Sequence, residues 1–514
     1  MDFVSIFNDV IGPVMYGPSS SHTAGSFRIG KMARSLLGQE AASAEFVFDP
    51  EGSYIKTYKK QSADLGFASG LMGWEITDNR FHRALSIGKE KNIKIDFLSS
   101  ELKNADHPNA VEIRLISRSG KKLNLTAKST GGGGIEITKV NNWPVSITGK
   151  SYDILIEVQS RAKDEVINLI SDHMEKKPEC IEKKETSFCH CQLTSPLPEK
   201  IIQKVKNIPD VVDIKKTNPV FFVKKGESLF SSGKEILDFT ASHKCSLGEA
   251  ALFYESKILG LSEKDILEEM ESRYRIMNDS VHKGLDKKNI KMQLLKPFAR
   301  NIYDSESRGN VAIGGIHTRA AARAMAALHI SNSKGLVCAA PTGGSSGVIP
   351  GVLVSLAEDK KIEKDKLIRG LFAAAAVGLI LKNRATFAAE TAGCQVEIGA
   401  AGAMASAAVS EIYGANPKQA MDAAAISLQN TMGSVCDLVQ GICEIPCHTR
   451  NAAAASSAFV CADLILGGYT NPIPLDETID ASFSVGKMLP SELRCTAKGG
   501  LAATPSALSL SLDK

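Results

Sequence analysis

Three groups of residues in this 514-residue chain have the types and spacing to do chemistry. The first is Gly17-Pro18-Ser19-Ser20-Ser21-His22-Thr23-Ala24-Gly25, which runs into a helical pattern with Ile29, Met32, Ala33, Leu36 and Leu37 on one apolar face. Hydroxyls beside the unpaired N–H groups of a helix start suit a carboxylate or a phosphate. The imidazole of His22 adds a titratable group among them. Capping a helix needs one hydroxyl, so Ser19, Ser20, Ser21 and Thr23 together exceed that role. The second group is Pro341-Thr342-Gly343-Gly344-Ser345-Ser346-Gly347, another loop able to cradle an anion through its amides. It lacks the Gly-Lys-Ser/Thr ending of a nucleotide-binding loop. The third group is thiols: Cys394 after Gly393, Cys436 before Asp437, and Cys447 after Pro446, each beside turn residues of a helical region. Turn-borne cysteines from separate segments can converge on a cluster, although their spacing matches no zinc finger, ribbon or ferredoxin run. Cys245, Cys338, Cys443 and Cys461 have no such neighbours and are assigned to packing.

The elements that must position these groups fall into three zones. Residues 1–150 read as an α/β domain: strands near 45–49, 111–116 and 135–140, helices near 29–37 and 63–71, and a turn at Gly131–Gly134. Residues 151–225 form a compact unit with strand patterns at 152–158 and 186–193 and helical ones at 163–174 and 199–205. Two short apolar runs follow, at 211–214 and 220–223. The order β-α-β-α-β-β resembles a small ferredoxin-like α+β module of the ACT type. Cys189 and Cys191 alternate onto one face of its second strand, as packed strand residues do. Residues 226–514 are dominated by alanine-rich segments such as HTRAAARAMAALHI and RGLFAAAAVGLILKN, which predict an all-α domain with closely approaching helices.

Composition narrows the function. Apolar residues at 43% and charged residues at 23% describe a folded chain rather than a disordered one. Basic and acidic residues number 61 and 57, a net charge of +4 that gives no footprint for nucleic acid. The amino terminus lacks the pattern of a signal peptide. The most apolar stretch, 367–381, contains Arg369 and is too short and alanine-rich for a membrane span. A soluble, cytoplasmic protein without a membrane partner is expected. Eleven cysteines, an odd number that all follow residue 179, argue against a disulfide scaffold.

GPSSSHTAG, APTGGSSGVIPG, AGCQVEIG, CDLVQGICEIPCHTRN and the late GGLAATP together resemble the iron–sulfur L-serine dehydratases, with β-type and α-type segments fused in one chain. The resemblance spans nearly the whole length. It implies a 4Fe–4S cofactor held by Cys394, Cys436 and Cys447 in the helical domain, and no pyridoxal phosphate. It also implies β-elimination from L-serine to pyruvate and ammonia, with an open iron acting as Lewis acid. Substrate positioning is expected of Ser19, Ser20, Ser21, His22 and Thr23, and of Thr342, Gly343, Gly344, Ser345 and Ser346.

One stretch departs from the family. Where many members carry a Gly-His-Gly-Thr-Asp-like run whose His is the proposed base, this chain reads Lys60-Gln61-Ser62-Ala63-Asp64. Gln61 cannot take a proton, so the catalytic candidates are His22 and Lys59 (or Lys60), with Asp64 orienting a neighbour. Cys495 is a further expectation, as a resting-state cap on the open iron. The partner expected beyond a small amino-acid substrate is a second copy, in a homodimer. The alternatives are elimination of sulfide from L-cysteine, a pyridoxal-phosphate dehydratase, for which no lysine stands in a convincing Schiff-base setting, and a non-catalytic amino-acid or redox sensor.

Overall fold

The computed structural model describes residues 3–103, 106–286, 288 and 290–510. They form two compact units. One runs from Ser21 to Lys225, and the other joins the segment up to Ser20 with the chain from Gly226 onward.

The Ser21–Lys225 unit holds two sheets. The larger has six strands in the order Lys94–Ser99, Ala41–Phe48, Ala110–Ser117, Lys122–Gly131, Gly134–Val140 and Trp143–Ile147. All its pairs are antiparallel except the first, which is parallel. Alternation along the chain explains the layering: Leu123, Leu125, Ala127 and Ser129 are buried while their neighbours are not. The expected turn at Gly131–Gly134 is present, and Gly131, Gly132 and Gly133 all take positive φ, which a side chain would oppose. Helices Gly25–Leu37 and Ala63–Leu71 pack closely on each other beside the sheet. A methyl group at Gly30 would stand 2.5 Å from the Phe67 carbonyl, so glycine sets that spacing.

The second sheet belongs to residues 152–217. Its element order is Tyr152–Gln159, helix Lys163–Ile170, Glu179–Lys183, Thr186–Leu193, helix Glu199–Lys206 and Val211–Thr217. The strands lie in the spatial order fourth, first, third, second, all antiparallel, which is the ferredoxin-like arrangement. The expected β-α-β-α-β-β order is corrected to β-α-β-β-α-β. Strand Glu179–Lys183 escaped the sequence reading because it is an edge strand with little buried surface, and so carries no apolar alternation. Residues 220–223 are not a strand; the N–H groups of Val220 and Phe221 donate to the Gly149 carbonyl instead.

The other unit is helical, as its composition predicts. At its centre Ile398–Ile412, almost entirely Ala, Gly, Ser and Val on its contact faces, packs against Val348–Asp359, Lys364–Arg384, Pro417–Thr431 and Cys447–Leu466. Small side chains allow that many close neighbours. Among the described residues, capping boxes start three of the unit's α-helices, from Ser246, Ser262 and Asn416. The apolar 367–381 stretch is the buried middle of Lys364–Arg384. Among the described residues no helix is long and apolar enough to cross a membrane.

The unit is not wholly α. Strand Val14–Tyr16 pairs antiparallel with Leu336–Cys338, so the opening residues pack here rather than with the α/β zone that follows them. The fully buried Glu255 fastens the same segment, accepting hydrogen bonds from the Ser5 hydroxyl and from the N–H groups of Ile6 and Phe7.

Candidate active site

Cysteines from three separate segments of the helical unit lie in one buried region. Cys394 begins a short turn after Gly393, whose φ is +76°, and its N–H donates to the Ser434 carbonyl at 2.8 Å. Gln395, fully buried, holds the neighbouring chains together. Its Nε2 donates to the Ala392 carbonyl, and its Oε1 accepts from Gly433 N–H and the Ser482 hydroxyl. Cys436 donates its N–H to Leu493, and Cys495, at a left-handed φ of +63°, donates its N–H to the Cys436 carbonyl at 2.8 Å. Cys447 opens the helix Cys447–Leu466.

The three thiols influence one another electrostatically. Cys394 is pushed up by burial, then by the charges of Glu397 and Cys447. Cys436 is pushed up first by its hydrogen bond with Cys495, then by burial, with Cys394 also contributing. Cys447 rises through its hydrogen bond with Cys443 and through burial, while Arg450 works the other way. Arg450 donates to the Val435 carbonyl at 2.7 Å and faces Asp437 at 3.0 Å. Among the described residues, no three His, Cys, Asp or Glu side chains are arranged to hold a single metal ion.

The hydroxyl loop lies beside these thiols. Asn451 stands one helical turn after Cys447 and bridges to it. Its Nδ2 donates to the Gly344 and Cys447 carbonyls, and its Oδ1 accepts from Gly347 N–H. A methyl group at Gly344 would stand 3.3 Å from Cys443 Sγ. Thr342 hydrogen-bonds the half-buried Glu397, whose carboxyl is pushed up to about 8 by desolvation and by nearby Glu390. The hydroxyls of Ser345 and Ser346 are engaged within the loop, with Thr342 and with the Gly343 carbonyl. Gly343 also approaches the backbone of Pro18 and Ser20, so that part of the first motif joins this region.

The remainder of the first motif lies in the other unit, because the boundary between the units falls between Ser20 and Ser21. His22 is buried, with Nδ1 3.1 Å from Ser21 Oγ and Nε2 3.2 Å from Ser53 Oγ, and its ring meets Tyr54 edge-on. Burial holds it neutral, with its pKa lowered to about 4. Thr23 Oγ1 donates to the Gln61 carbonyl at 2.8 Å, binding the motif to the altered stretch. Asp64 is buried and accepts from Leu65 N–H. Lys59 lies over the Tyr58 ring.

Sequence reasoning missed Cys443, Glu397, Arg450 and Asn451. Their signal was present, since each sits inside a motif quoted for the thiols, but none shows a catalytic type at a diagnostic spacing.

Comparison with known proteins gives this geometry a family. The family model "Serine dehydratase alpha chain" matches residues 170–502. The chain belongs to that family. It is 36% identical over 278 residues to the probable L-serine dehydratase alpha chain of Bacillus subtilis, covering 54% of this chain and 93% of that one. It is 32% identical over 286 residues to the L-serine dehydratase alpha chain of Peptoniphilus asaccharolyticus, covering 55% and 98% respectively. It is also 41% identical over 156 residues to the probable beta chain of the Bacillus subtilis enzyme, covering 30% of this chain and 69% of that one. Alpha-type and beta-type segments, separate chains in that organism, are therefore fused in this member of the family.

Proposed function

We propose that the chain dehydrates and deaminates L-serine to pyruvate and ammonia with a 4Fe–4S cluster held by Cys394, Cys436 and Cys447. One observation carries the reading. Three buried thiols from separate segments share one region with a partly buried arginine and a glycine- and hydroxyl-rich loop, in a family named for serine dehydration. The donor set suits the group. Its thiolates are soft ligands, Arg450 offsets part of their charge, and a cubane takes thiolates at separate corners rather than at one point. An iron left without a protein ligand supplies Lewis-acid chemistry for a leaving hydroxyl.

The chain's own residues supply the rest. The 342–347 loop is held against the thiol region by Asn451, and it orients the substrate carboxylate through its backbone amides. His22 is the proton acceptor: burial keeps its imidazole unprotonated at neutral pH, and Ser21 and Ser53 fix its ring. Asp64 and Lys59 are supporting candidates, since Gln61 has no basic atom. Cys495, hydrogen-bonded to Cys436, is the candidate resting-state cap. The middle module, ferredoxin-like in topology, is assigned the amino-acid-binding or dimer-forming role of ACT-type units. The protein acts in the cytoplasm as a homodimer.

The test is iron and sulfide analysis of anaerobically prepared protein beside product assays. About four of each per chain are expected, with pyruvate and ammonia formed from L-serine. Each of Cys394→Ala, Cys436→Ala and Cys447→Ala should lose iron. Iron retained in all three variants overturns the ligand set, and sulfide released from L-cysteine in preference to ammonia from L-serine overturns the substrate.

A further inference from the structure

The ferredoxin-like module carries a thiol pair for which the dehydratase reading has no use. Strand Glu179–Lys183 lies at the sheet edge, paired on one side only, to Thr186–Leu193. In that register Cys180 stands directly opposite Cys189. Cys180 is exposed and Cys189 is fully buried, and their side chains are hydrogen-bonded. Cys191, two residues on, packs among Ile154, Ile156 and Val166 in the module core, and its partner across the sheet is Ile154. The ammonium of Lys163, at the start of the first module helix, lies within electrostatic reach of both opposed thiols.

Directly opposed residues of an antiparallel pair stand about 4.5 to 5.5 Å apart at Cα. A disulfide spans roughly 4.4 to 6.8 Å between the same atoms. Neither strand has to move far. We propose that Cys180 and Cys189 are a site of reversible oxidation, forming a cross-strand disulfide by exchange with a small-molecule disulfide.

The order of events follows from accessibility. The exposed Cys180 sulfur, as thiolate, attacks one sulfur of the small disulfide. The S–S bond breaks, a mixed disulfide forms, and one small thiol leaves. The Cys189 sulfur then loses its proton to solvent and attacks the Cys180 sulfur, and the second small thiol leaves. The protein loses two hydrogens and the small disulfide is reduced to two thiols. Burial pushes the Cys189 thiol up, so it reacts second, and its fixed place opposite Cys180 makes the closing step intramolecular. The bond ties down an edge strand that the sheet otherwise holds along one side.

The experiment uses the full chain, reduced anaerobically, freed of reductant, exposed to oxidised glutathione, quenched in acid and mapped by peptide mass spectrometry. The peptides bearing Cys180 and Cys189 should appear joined and lighter by two hydrogens, and reductant should separate them. Cys191→Ala should give the same linkage. Cys180→Ser, at an exposed position that leaves the core intact, should leave Cys189 unmodified. Cys189→Ala should stop at glutathione on Cys180. Wild-type protein that stops at the mixed disulfide, leaves both thiols unmodified, or links Cys180 to Cys191 overturns the proposal.

Discussion

Asn451 donates from Nδ2 to the Gly344 carbonyl at 2.9 Å, so a side chain of the thiol-bearing helix fastens the glycine-rich loop. The same side chain donates to the Cys447 carbonyl and accepts from Gly347 N–H, so Asn451→Ala strips the buried Gly347 N–H of this partner and both carbonyls of one donor. A buried group left unsatisfied costs about 1–3 kcal/mol. The variant should lose stability on that order, read as a lower denaturant midpoint with unchanged slope. On the proposed substrate-orienting role of the loop, its KM for L-serine should rise more than its kcat falls.

Gly393 places Cys394. Its φ of +76° and its distance of 2.6 Å from a would-be Cβ to the Ser434 carbonyl leave no room for a side chain. Gly393→Ala should destabilise by more than the roughly 1 kcal/mol of a simple positive-φ replacement. Iron per chain, measured after anaerobic purification, should fall well below the parent value.

His22→Ala should lower kcat by about 10²–10⁴, the usual worth of a positioned base, with iron content unchanged. Ser53→Ala removes only the partner 3.2 Å from Nε2, so its loss should be smaller. It should also displace the acid limb of the pH–rate profile. Turnover of His22→Ala at the parent rate would assign the base to another residue.

Acid stability has a definite sign. The pKa values of His22 and His329 are lowered by burial from 6.5 to about 4 in the folded chain. Between those values the unfolded chain binds protons that the native chain refuses, so stability falls as pH drops from 6.5 toward 4. At about 1.4 kcal/mol per pH unit, each group accounts for roughly 3 kcal/mol once both states are protonated. Glu397, raised to about 8, contributes with the opposite sign, its stabilisation fading as pH rises through that value. The clean measurement is a variant comparison. His329 is fully buried, and among the described residues neither ring nitrogen has a hydrogen-bond partner. His329→Leu should hold or raise stability at pH 7 and flatten the decline between pH 6.5 and 4 by up to one proton.

Periodicity along the chain determined a good deal by itself. A short apolar run located the Ala41–Phe48 strand, alternation located Ala110–Ser117 and Gly134–Val140, and alanine-rich helical stretches located the helical unit. Turn residues beside Cys394, Cys436 and Cys447 singled out three of eleven thiols. Each is a local property: a residue's pattern reports which side of its own element is buried.

Which distant element does the burying was decided by the tertiary structure. The pairing of Val14–Tyr16 with Leu336–Cys338 joins segments over three hundred residues apart, and neither strand is long enough to show a period. Glu179–Lys183 was invisible because a largely exposed edge strand needs no apolar face. Cys443, Glu397, Arg450 and Asn451 became neighbours of the three thiols through folding alone, because which segments approach one another is not written in residue spacing. Local sequence sets the shape and the wet and dry faces of each piece; long-range packing sets which reactive groups meet.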